Sequence, residues 1–135
     1  MKTKVKFSLI FLTVLIITSC ERKDGIAGKW SYLNRQNEYA EIWFDGEKVL
    51  MLDETSYSIE VLDYSLSSDS LFMTWSNDTI YKIAYKLGRR LILKNDFLEY
   101  SLEKFSPSID RIQNDEEYKN KVYPEFTKRA KERLE

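Results

Sequence analysis

The chain has 135 residues, no histidine, a single cysteine and nearly balanced charge, with 21 Lys and Arg against 22 Asp and Glu. The absence of histidine removes the commonest general base and the commonest nitrogen ligand for metals, and a lone cysteine allows no intramolecular disulfide. A formal charge of −1 offers no basic footprint for nucleic acid. Composition therefore points away from an enzyme, a metal site or a nucleic-acid binder, and no cofactor is expected.

The amino terminus reads as an address. Lys2, Lys4 and Lys6 precede the apolar run Phe7 to Ile17, and Thr18-Ser19-Cys20 closes it. A charged start, an apolar middle and small residues at the end make a secretory signal peptide. The apolar run is about half of the roughly 20 residues that a membrane-crossing helix needs. Ile17-Thr18-Ser19-Cys20 resembles the lipobox of bacterial lipoproteins. The resemblance implies a cleaved signal peptide over residues 1–19, thioether lipidation of Cys20, and acylation (palmitate or a similar chain) of the new amino terminus. It implies a lipid-anchored protein of the cell envelope, with the outer membrane as the expected site. Cleavage would leave 116 residues, the size of one domain, with 18 basic and 22 acidic residues. Residues 20–25 are then a short lipidated tether, and membrane lipid is reached through Cys20 alone. Glu21-Arg22-Lys23-Asp24 has neither an Asp directly after the cysteine nor a clear acidic run. The periplasmic and surface faces both stay open.

From residue 26 to 106, short aromatic and β-branched runs alternate with turn residues, the pattern of an antiparallel all-β domain. The predicted strands are Ile26–Leu33, Tyr39–Phe44, Lys48–Leu52, Ser56–Leu62, Ser70–Trp75, Thr79–Leu87, Arg90–Lys94 and Phe97–Phe105. Asp45-Gly46, Ser67-Ser68-Asp69, Gly88-Arg89 and Asn95-Asp96 mark tight turns between them. Short connections pair each strand with the next, giving an up-and-down meander of about eight short strands that closes as a barrel or curls over its own core. Residues 107–135 form a separate C-terminal segment. Pro124 is placed at the start of a helix running to Glu135, with Phe126, Ala130 and Leu134 as a thin apolar stripe. That helix lies against the outside of the sheet or serves as a partner-binding tail.

Gly28-Lys29-Trp30 opens the first strand. It resembles the Gly-x-Trp signature of lipocalins and of lipocalin-like bacterial lipoproteins. The resemblance implies a barrel whose closed end is plugged by Trp30, with Gly28 letting the chain turn tightly against it. It also implies a basic residue late in the barrel packing on the Trp, for which Arg89 and Arg90 are candidates. Another small meander or sandwich is the alternative. Trp30 reads as a core aromatic, whereas Trp43, Trp75, Tyr81 and Tyr85 are the candidate ligand-binding set. Each has an apolar body and a hydrogen-bonding tip, and each could line an interior pocket or simply fill it.

Other constellations carry little chemistry. Asp53-Glu54 and Asp115-Glu116-Glu117 are adjacent acids suited to a solvated surface, since neighbours in a strand face opposite sides. Asp69-Ser70-Leu71 and Asp78-Thr79-Ile80 resemble the O-glycosylation sequence of Bacteroidetes envelope proteins, which implies Ser70 and Thr79 as modification sites. Asp before a hydroxyl residue is also an ordinary turn. Two functions follow. The first is a non-enzymatic binding module for a small hydrophobic ligand or an envelope protein. The second is an accessory component of an outer-membrane assembly that works through its exterior and its helix.

Overall fold

In the computed structural model, which describes residues 25–55, 58–73 and 79–133, the chain reverses at short intervals and each strand pairs with its successor. The strands are β1 (Gly28–Leu33), β2 (Tyr39–Phe44), β3 (Lys48–Asp53), β4 (Ser58–Ser67), β5 (Ser70–Met73), β6 (Thr79–Leu87), β7 (Arg90–Lys94) and β8 (Glu99–Ser106). All neighbouring pairs are antiparallel, and β8 returns to pair with β1, closing an eight-stranded barrel. One helix, α1 (Glu116–Glu132), follows. Cys20, the expected signal peptide and the expected tether as far as Asp24 lie outside the described residues, as do Trp75 and Leu134.

Side-chain hydrogen bonds explain the sharp reversals. Asp45 Oδ1 accepts from the backbone N–H of Glu47 and Lys48 at 2.8 and 2.6 Å, and Gly46 takes a φ of 105°. Asn95 Oδ1 accepts in the same way from Phe97 and Leu98. Asn34 holds the β1–β2 turn through the N–H groups of Gln36 and Glu38, and its Nδ2 donates to Asp53 and Thr55 across the next hairpin. Asx turns of this kind fix the register from within the loop.

Two apolar layers result. Inside the barrel, Trp30, Ile42, Phe44, Val49, Tyr64 and Leu71 are among the buried residues of one cluster. Outside it, Tyr39, Trp43, Leu50 and Leu52 of β2 and β3 form a second cluster with Ile112, Val122, Phe126 and Ala130. Strand β2 is buried at every position because both of its faces are covered.

Two sequence expectations need correction. The helix begins at Glu116, capped by Asp115, whose side chain accepts from the Tyr118 N–H, so Pro124 lies inside it. Interior proline removes one helical hydrogen bond, but Val122, Phe126 and Ala130 recur every four residues and bury one stripe on the barrel. Pro124 itself is exposed. Second, β4 runs from Ser58 to Ser67, beyond the predicted end at Leu62. Ile59 and Val61 pack in the outer cluster beneath the helix, which turns Ser58 and Glu60 inward. The register also shifts in β6 between Ile83 and Tyr85, which sets Tyr85 opposite Ile92.

Candidate functional site

The barrel has a floor, a wall and a mouth. At the floor, Trp30 is fully buried and its Nε1 donates to the Ile26 carbonyl at 2.8 Å. Gly28 has a φ of 129°, and a Cβ there would sit 2.8 Å from the Ser106 carbonyl oxygen. Only glycine fits without strain. The basic residue over the indole is Lys104 of β8, not Arg89 or Arg90. Its Nζ lies 4.6 Å from the Trp30 ring and donates to the Ala27 carbonyl at 2.9 Å. Lys104 is the β8 partner of Trp30 in the ladder, so barrel closure brings it there. That pairing could not be found before the closing strand register was known. Arg89 serves indirectly, donating from Nε to the Lys104 carbonyl at 3.2 Å.

On the wall, Glu41 is completely buried between β2 and α1. Its two oxygens accept from Tyr39 Oη at 2.6 Å, Trp43 Nε1 at 2.9 Å, Arg129 Nε at 2.8 Å and Arg129 Nη2 at 3.0 Å. A paired, fully hydrogen-bonded carboxylate is the form in which a buried charge is tolerated. Trp43 therefore belongs to this outer assembly, with Lys29 Nζ 4.1 Å from its ring centroid. Its placement among interior ligand-binding residues is corrected. The odd residues of β2 face the helix and the even ones face the core.

At the mouth, opposite the floor, Tyr32, Tyr81 and Tyr100 converge. The rings of Tyr32 and Tyr100 are 5.2 Å apart and edge-on, and those of Tyr81 and Tyr100 are 6.2 Å apart. With Ile42, Met51, Met73, Leu93 and Leu102 they enclose a cavity of about 20 Å³. That volume admits about one water, far below the roughly 300 Å³ of a typical small-molecule pocket. Outside the rings, Phe97 at the tip of the β7–β8 turn is 87% exposed and Leu33 is 43% exposed. Of the candidate set, only Tyr81 is thus seen to line the interior. Tyr85 is placed by its backbone alone, and Trp75 lies outside the described residues. Ser70 begins β5, half-buried, with its hydroxyl 3.3 Å from Asp69 Oδ1, and Thr79 begins β6. Among the described residues, no group of three or more His, Cys, Asp or Glu is placed to hold a metal.

Buried phenols make the fold sensitive to alkali. Burial foremost, with the neighbouring Tyr100 and Asp53 adding, pushes Tyr32 well above the ordinary phenol value. Burial and the hydrogen bond to Glu41 do the same for Tyr39. A phenol whose pKa is raised by folding holds its proton longer in the native state, so its stabilisation is complete below pH of about 10 and is lost as pH rises through the folded value. Chemical denaturation at stepped alkaline pH is expected to show stability falling above pH of about 10, by up to about 1.4 kcal/mol per pH unit for each phenol. Tyr32→Phe should flatten that slope. A stability that stays level through this range would contradict the burial.

No family model matches the chain, and neither the curated proteins nor the solved structures contain a match to it.

Proposed function

We propose that the chain is a lipid-anchored envelope protein, non-enzymatic, that binds a protein partner at the mouth of its barrel. The observation that carries this reading is the opposition of the two ends. The chain enters β1 at the floor, sealed by Trp30 and Lys104, and the exposed aromatic Phe97 stands at the other end. With Cys20 acylated, a tether of a few residues would hold the floor against the membrane. The mouth would then face away from it by about 20 Å, the length of a six-residue strand. The small interior cavity favours a partner gripped at the rim over a hydrophobic ligand swallowed whole. The Gly28, Trp30 and Lys104 floor also supports a lipocalin-like origin for the barrel.

The second reading, an accessory component working through its exterior, is favoured by two open grooves along α1. One, of about 540 Å³, is lined by Ile59, Lys119, Tyr123 and Pro124, and the other, of about 570 Å³, by Leu33, Tyr39, Ala130 and Arg133.

A photo-crosslinking residue at position 97, compared with one at Leu87 beside the β6–β7 turn at the floor end, separates the two. In native membranes position 97 should yield one discrete protein adduct and position 87 none. The adduct should disappear in Cys20→Ser, which should also release the chain from the membrane. Adducts only from a probe at Tyr123 on α1 would replace the first reading with the second.

A further inference from the structure

The β6–β7 hairpin is basic throughout. Residues 79–94 carry five cations, Lys82, Lys86, Arg89, Arg90 and Lys94, and no acid. Lys94 pairs with Glu99 towards the mouth at 3.8 Å. Lys86, Arg89 and Arg90 flank the turn at the floor end and enter none of the ion pairs among the described residues. Leu87 sits between them and is 67% exposed. A Cβ at Gly88 would meet nothing within 4 Å, so the tip stands clear of the rest of the barrel. The acids that flanking elements set near the tip are Glu103, opposite Arg90, and Asp69, whose carbonyl accepts from the Ile83 N–H. Three cations against these two acids leave the tip positive. Two hydrogen bonds hold it at the level of the floor. The Lys104 N–H donates to the Arg89 carbonyl at 2.7 Å, and Arg89 Nε donates to the Lys104 carbonyl at 3.2 Å. The Lys86 ammonium occupies the space that a Cβ at Gly25 would need. The tip therefore lies against the segment by which the chain enters the barrel, five residues from Cys20, a span of at most about 18 Å when extended.

An exposed leucine flanked by cations suits a lipid–water interface, where the apolar side chain enters the acyl boundary and the cations meet phosphates. A free phosphate would leave Leu87 unused. An acidic protein would need far more area than this tip offers, since a standard interface buries about 800 Å² per partner. We infer that the β6–β7 tip is a second membrane contact, in which Leu87 enters an anionic bilayer and Lys86, Arg89 and Arg90 meet its headgroup phosphates. One leucine and three cations are too weak to recruit the chain from solution, because stable attachment takes a stronger signal beside them. Held within reach by an acylated Cys20, they act at an effective concentration in the millimolar range and engage as an intramolecular event. Such a contact fixes the barrel with its floor to the lipid, whereas a single flexible tether leaves it free to turn. The sequence alone points to lipid at Cys20, and the folded chain adds the hairpin. This second contact rests on the reading of the floor as the membrane end and names what holds that end there.

The test uses the full chain, purified from membranes and carrying a photo-crosslinking residue in place of Leu87 or Phe97. It is reconstituted into vesicles of phosphatidylcholine alone or with about 30 mol% phosphatidylglycerol, an anionic content that gives the surface a negative potential. Position 87 should yield lipid adducts, at least about fivefold more with the anionic lipid, since one cation near such a surface is worth about that factor. Position 97 should yield few in either. Lys86→Gln combined with Arg90→Gln should remove most of the anionic gain. Raising the salt from about 0.05 to about 0.5 M should do the same to the chain without these changes, which covers a variant that folds poorly. The inference is overturned by an absence of lipid adducts at position 87, by equal adducts in the two vesicle types, or by a gain that survives high salt. A protein adduct from position 87 in native membranes also overturns it and assigns the tip to an acidic partner. Release by Cys20→Ser and the protein adduct at position 97 are read independently, so the two proposals fail separately.

Discussion

Replacing Arg129 with alanine is expected to destabilise the protein by about 3 kcal/mol, the lower end of what breaking a buried ion pair costs. The lower end applies because the Arg129 side chain is 27% exposed, whereas that of Glu41 is fully buried. The loss would come less from the missing attraction than from what remains. Glu41 would be left in a dry seam with only Tyr39 and Trp43 to donate to it. Removing both charges, as Glu41→Leu with Arg129→Met, should therefore cost less than Arg129→Ala alone. Denaturant unfolding of the purified chain measures the difference. Trp43 fluorescence reports where it arises, because release of α1 would expose an indole that is now 2% accessible. A loss below about 1 kcal/mol, the size of a surface pair, would mean that the apolar stripe of Val122, Phe126 and Ala130 holds the helix without the clamp.

The same seam explains what could and could not be read from the sequence. Strand number, strand order and the Asp45 and Asn95 turns were legible because each depends on a few adjacent residues. Which face of a strand meets the core was not. Alternation in β4 says only that Ile59 and Val61 share a side, and a helix more than 50 positions later decides that this side is the outside. Glu60 is turned inward as a consequence. Trp43 was misplaced for the same reason, since both faces of β2 carry large apolar residues and both are buried. The start of α1 was hidden by Pro124, a residue typical of helix starts. The true start has its own local signal, Asp115 followed by two acids in the first turn. Lys104 could be recognised only through closure of β8 on β1. The mouth shares this property, since Tyr32, Tyr81 and Tyr100 come from three strands.

The floor carries the other large effect. Trp30→Ala is expected to cost about 3–5 kcal/mol, the usual range for deleting a fully buried large aromatic. This is a large share of the 5–15 kcal/mol that holds a typical domain together. Trp30→Phe is the more informative change, because it keeps much of the ring and removes the N–H that reaches the Ile26 carbonyl. It should cost about 1–2 kcal/mol. Lys104→Met keeps an aliphatic stem over the indole while removing the ammonium that caps the ring and holds the Ala27 carbonyl. If the three groups act as one latch closing β1 on β8, Trp30→Phe and Lys104→Met should be non-additive in a double-mutant cycle, with a coupling of at least about 0.5 kcal/mol. Strict additivity would reduce Trp30 to a filler of the barrel floor. The floor would then be closed by the backbone ladder between β1 and β8 alone, with Gly28 the one residue it cannot exchange.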